Sequence, residues 1–157
     1  MTAVTLRPAT AADAGAVTAV FVAARRQMTY LPTLHTDDET ARFVADLVAD
    51  AAVCVAEQAG AVIGFAALRR GWLEHLYVDP VHQRRGVGTG LLEWAKQESP
   101  DGLDLWVFQA NTGARRLYEA HGFALVVLTD GAANEERLPD AHLRFDPAAP
   151  AGPVSPS

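Results

Sequence analysis

The sequence predicts a single α/β domain in which helices flank a mixed β-sheet. Short β-rich segments alternate with amphipathic helical segments along most of the 157 residues. Half of the residues are hydrophobic and a fifth are charged, which is the balance of a globular chain. A chain of this length buries most of its apolar surface around one core, so we expect one folding unit.

The first half of the chain predicts one strand, two helices and an antiparallel meander. VTLRPAT is a strand, and Thr10 is placed to cap a helix that continues to Arg25. Thr36, followed by acidic residues, predicts the start of a second helix. Three β-rich runs follow, AAVCVAEQ, AVIGFAALRR and WLEHLYVDP, and the intervening pairs AG and RG favour turns.

The second half predicts two helices, further strands and a tail. The glycine-rich QRRGVGTG leads into the helical pattern LLEWAKQE, which ends before Pro100. LDLWVF is a strand, and NTGARRLYEAHG is a helix with Asn111 at its start and Gly122 as its stop. FALVVLTDG and AHLRF are the last strands. Residues 146–157 are rich in proline and predict a disordered tail, which leaves residues 1–145 as the domain.

Composition excludes several classes of function. A formal net charge of −6 opposes attachment to nucleic acid and suits a cationic substrate better. No apolar run reaches the roughly 18 residues of a membrane span, and the N-terminus lacks signal-peptide features, so we expect a cytoplasmic protein without membrane partners. Cys54 is the only cysteine, which rules out an intramolecular disulfide or a multi-cysteine metal site, and its strand setting predicts a buried thiol.

The strongest local signal for binding is a strand, WLEHLYV, that precedes a glycine loop at the start of a helix. Glycines let the backbone approach a ligand, and the free N–H groups of a first helical turn favour a phosphate. The alternative is that Gly86, Gly88 and Gly90 only form a tight turn. The Gly-Lys-Ser/Thr of a nucleoside-triphosphate loop and the N-terminal βαβ unit of a dinucleotide fold are both absent.

QRRGVG, at residues 83–88, resembles the pyrophosphate loop Gln/Arg-x-x-Gly-x-Gly/Ala of the GNAT acyltransferases. LYVDP resembles the central strand of that family, and LWVFQANTGARRLYEAHGF, at residues 105–123, resembles its second block. The resemblance implies a mixed sheet of six to seven strands with a splayed central strand pair and about four flanking helices. It also implies direct transfer of an acetyl group from acetyl-CoA, the cosubstrate, to a primary amine, without a metal.

The same resemblance assigns cofactor contacts. The pyrophosphate would lie on backbone N–H groups of the glycine loop, with Gln83 closing the loop. The pantetheine arm would bond to exposed strand backbone, where the Leu76 N–H would polarise the thioester carbonyl. Asn111 would reach the pantetheine, or would only cap its helix. The implied cofactor-binding residues are Leu76, Tyr77, Val78, Gln83, Arg84, Arg85, Gly86, Val87, Gly88, Thr89 and Asn111.

Two side chains are candidates for proton transfer. Tyr118 matches the family tyrosine that protonates the departing thiolate, and its alternative role is an aromatic packed on the sheet. Glu74 is the candidate base, because alternation puts it on the face of Leu76 unless a bulge intervenes. The alternative for Glu74 is a solvated glutamate. His75, on the opposite face, is the second choice, and a water chain is the third.

The remaining aromatic and histidine residues are interpreted as structural. Four histidines show no metal-ligand spacing: His35, His82, His121 and His142. Three tryptophans are interpreted as core: Trp72, Trp94 and Trp106. In GNAT folds the second helix overhangs the acceptor pocket, so we expect substrate selection in the loop that includes Tyr30, Leu31 and His35. That loop and TDGAANEERLPD resemble segments of a bacterial subgroup and identify no substrate.

Two other functions stay open at this point. One is a GNAT domain that binds acyl-CoA without transferase activity and serves as a sensor or interaction module. The other is nucleotide binding through the glycine loop. The acceptor is equally open among a protein N-terminus, a lysine, a polyamine, an aminoglycoside and other small amines. Relatives often form homodimers, but no exposed stripe of this sequence identifies an interface.

Overall fold

A computed structural model describes residues 3–83 and 85–148 of the chain. Within those ranges the fold has seven strands and four α-helices, which confirms the predicted mixed architecture: β1 Thr5–Pro8, α1 Ala14–Arg26, α2 Asp37–Asp50, β2 Ala52–Gln58, β3 Ala61–Arg69, β4 Trp72–Val78, α3 Val87–Gln97, β5 Leu103–Phe108, α4 Thr112–Ala120, β6 Ala124–Leu128 and β7 Asp140–Phe145. None of these helices has the length and apolar character needed to cross a bilayer. Most of the predicted tail lies outside the described residues, so its disorder stays a prediction.

All seven strands belong to one sheet, in the order β1-β2-β3-β4-β5-β7-β6. The strands β2 to β4 pair antiparallel, as the meander predicts, and β1 pairs antiparallel with β2; β5, β7 and β6 also pair antiparallel. The pair β4–β5, at the centre of the sheet, is parallel. Ala59 and Arg70 have positive φ angles of 52° and 54°, each before a glycine that also has positive φ. Paired positive angles of this kind make tight hairpin turns, which confirms both predicted turns.

Two hydrophobic clusters cover opposite faces of the sheet. Side chains alternate along β2, so that Val53 and Val55 pack with α1 and α2, whereas Cys54 and Ala56 pack with α3 and α4. Cys54 is 2% exposed, and burial raises the pKa of its thiol to about 11. The prediction of a buried thiol is therefore confirmed.

The prediction that all three tryptophans belong to the core is wrong for Trp106, and Trp72 is only partly buried and belongs to neither hydrophobic cluster. The side chain of Trp106 is 49% exposed, on the face opposite to the buried Leu105 of the same strand. The Trp106 ring stacks on Trp72, with centroids 6.3 Å apart, and lies 5.2 Å from the ring of His142. The apolar cluster of α1 and α2 includes residues of β2 and β3 but none of β5. Trp106 therefore meets neighbouring rings and solvent on that face.

Candidate active site

The parallel strands β4 and β5 diverge after their first two paired residues. Trp72 pairs with Asp104 and Leu73 pairs with Leu105, whereas β4 continues unpaired on this side to Val78. Divergence leaves backbone groups of β4 without a strand partner at the middle of the sheet. The splayed strand pair that the family resemblance implied is therefore present.

On its other side, β4 carries a β-bulge at Glu74. Adjacent residues of β3 pair with Leu73 and His75, which leaves Glu74 as the extra residue of β4. The bulge breaks the alternation, because Leu73 and Leu76 pack against the same cluster although they are three residues apart. The Glu74 carboxylate lies 3.0 Å from Arg69 Nε and its side chain is 34% exposed. The bulge therefore removes the simple alternation argument that placed Glu74 on the face of Leu76.

The free backbone of β4 faces the gap at two of the predicted positions. Asp79 N–H donates to the Ile63 carbonyl of β3 over 2.8 Å. Since successive residues of a strand direct their backbone groups to opposite sides, those of Val78 and Leu76 face the gap. The Val78 carbonyl already accepts a hydrogen bond of 3.0 Å from Gln83 Nε2. The Leu76 N–H, which the family resemblance implies as a donor, therefore points into the gap, where β4 has no paired strand residue.

The gap between the strands opens into a cleft of about 1030 Å³. Ten of the predicted site residues line it: Glu74, Leu76, Tyr77, Val78, Gln83, Gly86, Gly88, Thr89, Asn111 and Tyr118. The side chain of Val87 is buried in the core instead, so that only its backbone is available to a ligand. Arg85 is exposed, and Arg84 lies outside the described residues.

The helix α3 begins at the cleft without a side-chain cap. Gly86, with a φ of 82°, occupies the cap position, and no described side chain accepts a hydrogen bond from the first turn. By contrast, α2 and α4 are each capped by a side chain. The N–H groups of Val87, Gly88 and Thr89 have no acceptor within an α-helix. These donors and the positive end of the helix dipole make the start of α3 suitable for an anion.

The helix α4 contributes two of the predicted side chains. Asn111 Oδ1 accepts a hydrogen bond of 3.2 Å from Ala114 N–H, so this residue does cap the helix. Tyr118 is 7% exposed, and its ring lies 5.6 Å from that of Phe123. Among the described residues its hydroxyl has no hydrogen-bond partner. Burial raises the pKa of Tyr118, so the phenol stays protonated at neutral pH.

His75 lies among aromatic rings on the face opposite to Leu76, as predicted. The rings of Phe21, Phe43 and Tyr77 lie 5.7, 5.5 and 6.0 Å from it. Burial, and to a smaller degree two nearby arginines, lowers the pKa of His75 to about 4. The imidazole is therefore neutral at physiological pH and is a weak proton acceptor.

A second cavity, of about 1090 Å³, adjoins the cleft on the side of His75. We call it the outer cavity; α1, the α1–α2 loop, α2 and two glutamates of the β6–β7 loop enclose it. Leu31 and His35 of the predicted selection loop line the outer cavity, whereas Tyr30 lines the cleft. The His35 imidazole also contacts the Glu135 carboxylate. The predicted loop therefore borders both spaces.

Sequence reasoning missed two charged residues of this region, Arg25 and Glu136. Arg25 Nη2 lies 3.4 Å from Glu136 Oε1, and Arg25 Nη1 donates to the Tyr77 hydroxyl over 3.2 Å. The guanidinium also lies over the ring of Phe21, 5.3 Å from its centroid. Arg25 and Glu136 are 111 positions apart, so no local pattern predicts the pair. The adjacent glutamates of the segment NEE, in a predicted loop, were the one sequence feature that could have indicated a charged residue here.

Comparison with known proteins identifies the family. A family model for the acetyltransferase (GNAT) domain matches residues 49–125. The peptidyl-lysine N-acetyltransferase YiaC of Escherichia coli (strain K12) is 36% identical over 80 residues, which cover 50% of this chain and 54% of that protein. An uncharacterized N-acetyltransferase of Methanocaldococcus jannaschii is 32% identical over 84 residues, which cover 44% of this chain and 37% of that protein. The chain thus spans about half of the first relative and less of the second.

Solved structures share the fold over nearly the whole chain. YjaB from Escherichia coli, in its apo form, superposes with a TM-score of 0.74 at 21% identity and covers 91% of this chain and 97% of its own. The yncA structure from Salmonella typhimurium, determined with its cofactor acetyl-CoA, has a TM-score of 0.72 at 24% identity. The superposition covers 98% of this chain and 99% of the yncA chain. With the family model and the named N-acetyltransferases, this agreement bears out the resemblance in the sequence: the chain belongs to the GNAT superfamily of acetyltransferases.

Proposed function

We propose that the chain transfers an acetyl group from acetyl-CoA to a primary amine. The observation that carries the proposal is one cleft in which the unpaired backbone of β4 meets the uncapped start of α3. Backbone donors of a splayed strand suit the amides of a pantetheine arm, and a free helix N-terminus suits a pyrophosphate. Family membership supports acetyl transfer in general. The acceptor and the roles of individual residues are parts of the proposal.

The phosphate end of the cofactor would be held by the backbone of Val87, Gly88 and Thr89. Gly86 supports this role, because its φ of 82° is a left-handed conformation that glycine adopts without strain, and it turns the chain into α3. Gln83, which donates to Gln27 Oε1 over 2.9 Å, would close the loop at the mouth of the cleft. Screening of the phosphates by Arg84 and Arg85 stays a prediction.

At the reacting end, acetyl-CoA supplies an acyl thioester whose carbonyl oxygen gains negative charge during attack. The Leu76 N–H is the proposed donor to that oxygen; loss of one such donor typically costs about 3 kcal/mol of transition-state stabilisation. The amine nitrogen forms a bond to the acyl carbon, the carbon–sulfur bond breaks, and the Tyr118 hydroxyl gives its proton to the thiolate. The position of Tyr118 in the lining of the cleft supports this role, although burial raises the pKa of its phenol and so makes it a weaker acid.

The proton of the attacking amine is assigned to Glu74, directly or through water. We expect Glu74→Gln to lower kcat/KM by about 10²-fold or more, because a carboxamide cannot accept that proton. His75→Gln should have a smaller effect, since the pKa of His75, about 4, makes it a weak base. Steady-state kinetics of both variants at several pH values around neutrality measures these changes in kcat/KM. If kcat/KM fell strongly in His75→Gln and only slightly in Glu74→Gln, His75 would be the base and Glu74 would not.

Binding of acetyl-CoA is testable before any acceptor is known. Acetyl-CoA and CoA at about 100 times Kd should stabilise the fold by about 2.7 kcal/mol, which raises Tm by roughly 5–10 °C. ATP and NAD should leave Tm unchanged, because the glycine loop lacks the features of their sites. Thermal denaturation measures all four. A rise with ATP and none with CoA would refute the CoA assignment, and thiol release with an amine panel distinguishes a transferase from a domain that only binds.

A further inference from the structure

We propose that Glu136 receives the protonated amine of the acceptor at the point where the outer cavity meets the cleft. The inference deepens the proposed function and rests on it, since it names the residue that selects a cationic acceptor. Among the described residues, three border both spaces: Met28, His75 and Glu136. An acceptor that passes from the outer cavity to the thioester passes these three side chains.

Glu136 is the one member of this junction with a charge opposite to that of an ammonium group. Met28 has a thioether, and His75 is neutral. An alkylamine arrives protonated at neutral pH, because its pKa is near 10.4. Moving that charge from water to a junction flanked by apolar rings is unfavourable unless a carboxylate meets it. Glu136 supplies the carboxylate at the place where the charge must be met.

The contacts of Glu136 leave one carboxylate oxygen available. Oε1 lies 3.4 Å from Arg25 Nη2, and Oε2 has no partner among residues 3–83 and 85–148. The side chain is 19% exposed, which limits but does not prevent access from the cavities. Arg25 is itself fixed by the Tyr77 hydroxyl and the ring of Phe21. Arg25 is thus a positioning residue that orients Glu136 and leaves its second oxygen directed to a ligand.

The loop that carries Glu136 is closed by internal contacts. Asn134 Nδ2 donates to the Leu138 carbonyl over 2.6 Å, and Leu138 N–H donates back to Asn134 Oδ1 over 3.2 Å. The buried Asp140 carboxylate accepts hydrogen bonds from Thr129 and Asn134. Gly131 has a φ of 85°, and a Cβ there would lie 2.2 Å from the Leu138 backbone. This packing holds the glutamate in place before a ligand binds.

The test compares Glu136→Gln with Glu135→Gln, a neighbouring glutamate that borders the outer cavity but not the cleft. The probes are spermidine and a short lysine-containing peptide with a blocked N-terminus. Calorimetry measures their binding to the CoA-saturated protein, and kinetics measures KM and kcat with acetyl-CoA. We expect Glu136→Gln to weaken amine binding and raise KM about 10- to 100-fold with little change in kcat. Glu135→Gln should change either value less than threefold.

Arg25→Gln tests the positioning role. It should raise the amine KM in the parent and add nothing in the Glu136→Gln background, because the two residues act through one contact. If Arg25→Gln acted only by disturbing the fold, it would raise the amine KM in both backgrounds, and it would also alter the Tm shift that acetyl-CoA produces. An additive effect therefore overturns the positioning role.

The outcomes separate the inference from the proposed function. Unchanged amine binding in Glu136→Gln, or equal losses in both glutamine variants, would overturn the role of Glu136. Binding of the amines by the parent without acetyl transfer would overturn the proposed function, while the calorimetric comparison still decides about Glu136. Absence of both binding and transfer with both probes would overturn both.

Discussion

Gly88→Glu weakens acetyl-CoA binding about 100-fold and leaves the chain folded; this is the result we expect from the glycine loop. Gly88 lines the cleft in the first turn of α3, next to the proposed pyrophosphate position. Like charges about 5 Å apart at an effective dielectric near 20 repel by on the order of 3 kcal/mol, or about 100-fold in Kd. Isothermal calorimetry with acetyl-CoA measures the loss.

The fold should tolerate the substitution at Gly88. A Cβ there would lie 3.7 Å from Leu117 Cδ2 and 3.8 Å from Val78 Cγ2, which are ordinary contacts. A carboxylate in the first turn also suits the dipole of the helix. Gly88→Ala and Gly88→Gln are the matched controls, because they add volume without charge. If the glutamate variant retains parental affinity, or if the neutral variants lose binding equally, charge repulsion at this helix start is not the cause.

The fold was predictable because its determinants are local or periodic. Alternation along β2 and β3, glycine-containing turns and the cap at Thr36 all appear in short stretches of sequence, and each has its counterpart in the structure. The splay of β4 and β5 came from family resemblance, since no single segment encodes the divergence of two strands. Trp106 was misplaced because exposure on one face of a sheet depends on which helices cover it.

The candidate site was predictable only in part, for the same reason. The glycine loop and Tyr118 belong to contiguous motifs, and both line the cleft. The bulge at Glu74 depends on pairing with β3, so alternation alone could not locate the side chain. The pair of Arg25 and Glu136 joins α1 to a distant loop, and such long-range contacts leave no periodic signal in one sequence.

Tyr118→Phe should separate binding from chemistry. The substitution keeps the ring in the core and removes only the hydroxyl, which has no partner to leave unsatisfied within the described part of the chain. If that hydroxyl protonates the departing thiolate, kcat falls by about 10²- to 10⁴-fold while acetyl-CoA affinity changes little. Stopped-flow or steady-state thiol release, combined with calorimetry, measures both quantities once an amine acceptor is identified.

Tyr30→Phe is the matched comparison for this last prediction. Tyr30 also lines the cleft, and its buried hydroxyl has no partner among the described residues, but Tyr30 belongs to the acceptor loop and not to α4. Loss of the acid should therefore give a much larger fall in kcat for Tyr118→Phe than for Tyr30→Phe. If kcat falls equally in the two variants, the cause is a general loss of polarity in the cleft and not the loss of a specific acid. A parental kcat in Tyr118→Phe, under conditions in which chemistry limits turnover, would show that Tyr118 packs against the sheet and takes no part in proton transfer.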